Sequence, residues 1–162
     1  MVGLLFYICT MKRFLTLLYT FLVLTVSASA QTPVETVIGK YDDQKGVKTF
    51  VAKDALMSMA RGYVRKSPMG PLADSVKEVS VMIMKKADGQ TKAAFLSELR
   101  QTLKSYQYYG KKAGLDGNIV EVYGSPIKNG IVTELVVYNS DSYTLFSLRG
   151  SYPVEELKKL DK

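Results

Sequence analysis

Histidine is absent from the 162-residue chain, and cysteine occurs once, at Cys9. Without histidine there is no ordinary general base near neutral pH, no Ser-His or Cys-His nucleophile pair and no histidine-ligated zinc. One cysteine rules out an internal disulfide or a thiolate metal cluster. The phosphate loop Gly-x-x-x-x-Gly-Lys-Ser/Thr, the dinucleotide turn Gly-x-Gly-x-x-Gly and the nucleophile elbow Gly-x-Ser-x-Gly are missing as well. No internal repeat, low-complexity tract or interdomain linker is present. The chemistries left are a carboxylate pair, a Ser-Lys dyad and carboxylate-bound calcium.

Acidic residues are also missing from the first thirty positions. From Met11 that stretch has the layout of an export signal: the basic pair Lys12-Arg13, an apolar run from Phe14 to Val26, and Ala28-Ser29-Ala30 before Gln31. The expectation is a signal peptide over residues 1–30, a true start at Met11 and cleavage between Ala30 and Gln31. Residues 1–10 then read as an upstream mis-start, because they hold no basic residue. An uncleaved membrane anchor is the alternative, but the run is short for a bilayer span and ends in a good cleavage site. Cys9 lies upstream of Met11, so the processed chain has no thiol, and Gln31 cannot carry a lipid through sulfur. The mature protein is expected to be periplasmic or extracellular, soluble, and without a stable membrane anchor. Removing Lys12 and Arg13 leaves 20 basic against 15 acidic residues, a net charge of +5, scattered rather than clustered. That balance favours weak attraction to anionic surfaces without choosing among them.

Residues 31–162 have the usual length of a single domain. Its centre is the stretch from Asn118 to Gly150, where Ile119–Tyr123, Ile131–Tyr138 and Tyr143–Arg149 read as strands separated by turn formers. Upstream, Thr32-Pro33-Val34-Glu35 forms a capping box, and Val34, Val37, Ile38 and Tyr41 fall on one helical face, with Gly39 weakening the segment. Val47–Lys53 is a strand candidate. Asp54 is expected to cap a second helix in which Leu56, Met59, Ala60 and Tyr63 share a face, broken by Lys66-Ser67-Pro68-Met69-Gly70-Pro71. Lys77–Lys85 reads as a strand buried on both faces. Thr91 is expected to cap the strongest helix, Lys92–Tyr106, with Phe95, Leu96, Leu99, Leu103 and Tyr106 inward. Tyr106–Lys112 is an optional further strand, and Pro153 opens a last helix carrying Val154, Leu157 and Leu160. The fold class is therefore α+β: a two-layer sandwich with a largely antiparallel sheet of about five strands, a C-terminal three-stranded meander, and helices mainly on one face.

This order of elements, with Gly46-Val47, Leu56-Met57, Ile119-Val120-Glu121-Val122-Tyr123, Glu134-Leu135-Val136-Val137 and Leu148-Arg149-Gly150 at their places in it, resembles domain-of-unknown-function family 4252, a group of small exported bacterial proteins. It implies an exported α+β domain of unassigned activity over nearly all of the mature chain. The chain departs from lipoprotein relatives by lacking a cysteine after the signal.

Glu121 and Glu134, with Arg149 nearby, are the best carboxylate pair, able at the right separation to hydrolyse a glycoside. The alternative reading is solvated strand residues with a cross-strand ion partner. Asp42-Asp43 reads as a solvated helix end rather than a calcium site, and Lys66-Ser67 as loop surface. Tyr106, Tyr108 and Tyr109 beside Lys104, Lys111 and Lys112 suit either ligand stacking or core packing; export disfavours nucleic acid as a partner. Alternation splits the meander into a face with Leu135, Val137, Phe146 and Leu148, expected to meet the helices, and an opposite face with Glu121, Tyr123, Glu134, Val136, Tyr138, Tyr143 and Arg149. The second face is expected to contact an envelope protein or a second copy of the chain, with Tyr123, Glu134, Tyr138, Tyr143 and Arg149 as the binding residues. The function expected is that of a non-catalytic exported envelope protein that binds a partner or ligand, without cofactor or metal. A carboxylate-dependent glycan hydrolase and an accessory component of envelope signalling are the alternatives.

Overall fold

Helix α1 (Pro33–Tyr41) starts on the expected capping box. The Glu35 N–H donates to Thr32 Oγ1 at 3.1 Å, the Thr32 N–H donates to Glu35 Oε2 at 2.9 Å, and Pro33 opens the first turn with its φ already set. Val34, Val37, Ile38 and Tyr41 are buried on one side of it. Gly46 then reverses the chain at φ +84°, and a Cβ there would stand 2.3 Å from the Lys86 carbonyl oxygen. Both facts demand glycine. The chain continues through β1 (Lys48–Ala52), a 3-10 turn (Asp54–Leu56), α2 (Met57–Arg65), a second 3-10 segment (Gly70–Ser75) and β2 (Val76–Ile83). After α3 (Gly89–Leu103) come β3 (Gln107–Ala113), β4 (Ile119–Gly124), β5 (Ile131–Asn139), β6 (Thr144–Pro153) and the single turn α4 (Val154–Leu157). The computed structural model describes residues 31–67, 69–114 and 117–158. The expected signal segment with its cleavage site, and Leu160 of the last helix, lie outside the described residues.

Two helix starts differ from expectation. Asp54 takes a left-handed φ of 47° inside a 3-10 turn instead of capping α2, whose first residue is Met57. Asp88, not Thr91, caps α3: its Oδ1 accepts the Thr91 N–H and its Oδ2 the Thr91 hydroxyl, both at 2.8 Å. An aspartate three residues upstream makes two bonds where the threonine would have made one, so the helix begins earlier.

The sheet has six strands in the order β1-β2-β6-β5-β4-β3, every neighbouring pair antiparallel. The sixth strand is β3. Its alternation is interrupted between Tyr108 and Lys111, where Gly110 sits at φ +93° and the register with β4 shifts. β6 lies between β2 and β5, so the last strand joins the N-terminal half of the domain to the meander. From Thr32 onward the chain is one compact unit, and no helix among the described residues is long and apolar enough to cross a membrane.

The fold is thus α+β with the expected C-terminal meander, and α1 and α3 lie together on one face. They cover Met82, Val136, Tyr138 and Leu145 with Val37, Ile38, Phe95 and Leu99. The opposite face carries Val79, Val122, Leu135, Val137 and Leu148, packed against Met57 of α2, Leu72 and Leu157. This reverses the expected orientation of the meander. Leu135, Val137, Phe146 and Leu148 look away from the helix pair α1/α3, towards the side where only α2 and short segments provide cover.

Two glycines give opposite expectations in urea unfolding. At Gly39, on the exposed side of α1, a Cβ would meet nothing within 4 Å, so Gly39→Ala should raise stability by about 0.5–1 kcal/mol. Gly46→Ala should lower it by more than about 1 kcal/mol, because left-handed strain adds to the backbone clash.

Candidate functional site

The five residues expected to bind a partner are on the covered face. Glu134 is 0% exposed, and its carboxyl group is ringed by hydroxyls: Thr32 and Ser147 donate to Oε1 at 2.8 and 2.6 Å, and Tyr106 donates to Oε2 at 2.5 Å. Three separated parts of the chain converge there: the cap of α1, the residue just before β3, and β6. Arg149, half-buried, reaches Glu35 at 3.2 Å and Glu78 at 3.6 Å, and Glu78 also meets Lys53 at 2.8 Å. Because Glu35 belongs to the capping box, this ion network ties the first turn of α1 to β2 and β6.

Tyr138 is buried with its ring 6.4 Å from Phe95, and its hydroxyl finds no hydrogen-bond partner among the described residues. Burial, reinforced by the neighbouring Tyr143, pushes its pKa up to about 12. Tyr123 is half-buried, its ring tilted against that of Tyr108 at 5.1 Å, and donates to Glu121 at 3.0 Å. Desolvation first, and that bond second, raise it to about 12. Tyr143 lies under the Lys92 ammonium at 4.7 Å. The face expected to be an open interface is therefore the floor of the α1/α3 layer. What corrects the expectation is the hydroxyl ring around Glu134, which satisfies a carboxyl group in the interior and removes the reason to expose it.

The same geometry argues against a glycosidase pair. Glu121 stands opposite Tyr138, four residues along β5 from Glu134, or about 13 Å at the usual rise of a strand. Carboxylate pairs that cleave glycosides stand roughly 5–9.5 Å apart, and Glu134 has no surface for a substrate to reach. Of the tyrosine cluster, Tyr106 is core, as expected of its spacing, while Tyr108 is 49% exposed. Asp42 is bonded to the Thr49 hydroxyl, and among the described residues no group of three acidic or thiol side chains could hold a metal ion.

The open part of the fold is on the other side. Between α2 and the sheet runs a cavity of about 610 Å³. Val79 and Val81 of β2, Phe146 and Leu148 of β6, Val137 of β5, and Val120 and Val122 of β4 form its floor. Ala60, Val64 and Met69 overhang it, with Phe50, Leu56 and Tyr63 at the margin. Of the stripe Leu56, Met59, Ala60 and Tyr63 expected to share a face, Leu56 is 56%, Met59 67% and Tyr63 69% exposed, because Met57 is the residue that α2 buries. Arg61 fixes this rotation, its Nε and Nη2 donating to the Val76 carbonyl at 3.2 and 3.1 Å.

At the end of the cavity where β3 turns into β4 and β5 into β6, the lining becomes polar: Lys112, Asn118, Asn139, Ser142 and Thr144. Sequence reasoning missed this chamber. The available signal was apolar residues at both parities in β5 and β6, more apolar sheet than the predicted helices could cover.

No protein-family model, curated protein or solved structure matches this chain.

Two buried tyrosines should respond oppositely to loss of the hydroxyl. Tyr138→Phe removes an unpartnered buried oxygen and should stabilise by about 1 kcal/mol, whereas Tyr106→Phe takes a donor from Glu134 and should cost about 1.5–3 kcal/mol, both read as shifts in the urea midpoint.

A third expectation concerns alkaline pH. The folded state holds the Tyr123 and Tyr138 protons to about pH 12, against an ordinary value of 10.0, so the unfolded chain releases them first. Their contribution to stability is complete below pH about 10 and lost between about 10 and 12. Urea midpoints measured across that interval should fall.

Proposed function

We propose that this protein is a non-catalytic, exported binding protein of the bacterial cell envelope that holds an apolar small molecule in the chamber beneath α2. The observation that carries this reading is the chamber itself. Its volume, about 610 Å³, lies within the roughly 300–1,000 Å³ of small-molecule sites, and its composition follows their pattern of apolar walls with a few polar groups gathered in one place. Leaving such walls to water forgoes roughly 25 cal/mol for each Å² of apolar surface, so an occupant would recover energy that the empty fold does not. The exposed margin of Phe50, Leu56 and Tyr63 gives an apolar molecule a path from solvent to the floor.

A binding role also agrees with the titratable groups. Among the described residues lining the chamber, Lys112 alone is charged, and the other side chains are apolar or neutral. Support for export comes from the Lys12-Arg13 pair, the apolar run and the Ala28-Ser29-Ala30 site.

Titration with Nile red, an uncharged apolar dye, tests the reading. One saturable site with enhanced, blue-shifted emission is expected. Ala60→Trp, which fills the chamber from α2, should weaken binding at least tenfold while the thermal midpoint stays within a few degrees. Absence of a saturable site, or undiminished binding to a folded Ala60→Trp protein, overturns it.

A further inference from the structure

We propose that the edge of the fold formed by β1 and α2 docks reversibly on an anionic lipid surface, its exposed apolar side chains entering the bilayer interface and the lysines around them meeting phosphate headgroups. This inference concerns the outer side of the roof and not the space beneath it, so it and the binding role of the chamber can each fail without the other.

Apolar side chains left in water are concentrated on this edge. Five of the eight exposed large hydrophobic residues among those described, Phe50, Val51, Leu56, Met59 and Tyr63, fall between Phe50 and Tyr63. Leu56, Met59 and Tyr63 follow one another at helical spacing along the outer stripe of α2, and the same spacing leads on to Lys66 at its end. Phe50 and Val51 belong to β1, an outer strand of the sheet with a neighbour on one side. Met59 does not line the chamber, so an occupant there leaves it uncovered. A contiguous apolar patch rimmed by polar residues marks a surface that meets something other than water.

Charge selects the partner. Lysine and arginine occur along the whole chain, but their excess over acid does not: between Lys45 and Lys66 stand six bases, Lys45, Lys48, Lys53, Arg61, Arg65 and Lys66, against the single acid Asp54, while the remainder of residues 31–162 holds fourteen of each sign. Lys53 and Arg65 are answered from outside the segment by Glu78 and Asp74, and Arg61 is turned to the Val76 carbonyl. Lys45, Lys48 and Lys66 are exposed and make no ion pair among the described residues. A second copy of the chain would bring two such positive segments together. A hydrated polyanion would meet the lysines and leave the five apolar side chains in water. An anionic bilayer accepts both, its phosphates drawing the lysines and its interface the apolar and aromatic tips. Docked in this way, the mouth of the chamber, bordered by Phe50, Leu56 and Tyr63, opens towards lipid.

Vesicle co-sedimentation of residues 31–162, which contain the compact unit and not the apolar run of the export signal, tests the docking. Binding to vesicles of equal parts phosphatidylglycerol and phosphatidylcholine is expected to be at least about tenfold tighter than to phosphatidylcholine alone, and to weaken as salt is added. Lys48→Gln combined with Lys66→Gln should weaken it at least about fivefold. Lys104→Gln combined with Lys128→Gln removes the same charge from two exposed lysines outside the segment and should change it less than about twofold. The chain has no tryptophan, so Met59→Trp supplies a lone reporter whose emission is expected to shift to the blue on the mixed vesicles. Thermal midpoints within a few degrees of the unmodified protein establish that each variant is folded. No binding to the mixed vesicles, equal weakening by the two lysine pairs, or an unshifted emission overturns the docking and leaves the chamber's binding role intact. A dimer that Met59→Glu dissociates assigns the edge to a second copy of the chain and overturns it as well.

Discussion

The interior carboxyl group of Glu134 governs how the layers of this domain are arranged. A fully buried acidic side chain is tolerated only where its oxygens are hydrogen-bonded, and here the donors come from Thr32, Tyr106 and Ser147. Each donor lies in a different part of the chain, so satisfying one group places the cap of α1, the connection from α3 to β3 and the middle of β6 at a single point. The Arg149 network extends the same tie through Glu35 to Glu78. A pair of helices that would otherwise be held to the sheet by non-directional apolar contact is thereby given one position and one face.

That choice of face decides what remains on the other. Once α1 and α3 occupy the Glu134 side, the strand residues Val79, Val122, Val137, Phe146 and Leu148 must be covered by α2, the 3-10 segment Gly70–Ser75 and the short α4. These pieces are too short to span six strands. The result is a roof over part of the sheet and a chamber under the rest. The proposed ligand site is thus a consequence of where the buried acid directs the longer helices, and the rotation of α2 fixed by Arg61 turns its Leu56 and Tyr63 towards the opening.

Much of the local structure was legible in the residues. The capping box of α1, its buried stripe, the inward face of α3 and the three meander strands all follow from signals a few residues long, and the α+β class follows from their order. What was not legible depended on contacts distant in sequence. Alternation divides the meander into two sets of side chains but does not say which set meets the helices. Charge suggested that the Glu134 set faces outward, and that inference failed because donors as far apart in sequence as Thr32 and Ser147 satisfy the acid. The apolar stripe of α2 was legible and its exposure was not, since periodicity reports which residues share a face and not whether that face is closed. β3 was obscured by its own bulge at Gly110.

Retention and turnover make opposite demands on a site, and the composition of this chamber favours retention. A reaction needs groups whose protonation or nucleophilicity changes along its course, held within hydrogen-bonding reach of each other and of the substrate. The chain supplies no imidazole, and the acids that the fold draws together, Glu35, Glu78 and Glu134, are on the α1/α3 face, where they hold the protein's own elements. The chamber is left with branched aliphatic side chains, one phenylalanine of the floor, and a polar end with a single lysine among its described lining. Such a surface can distinguish one molecule from another by length, shape and sign of charge, and it can release that molecule unchanged. The division of the sheet into a face that uses its charges for structure and a face that is nearly without them is the physical basis for reading this protein as a holder of ligands.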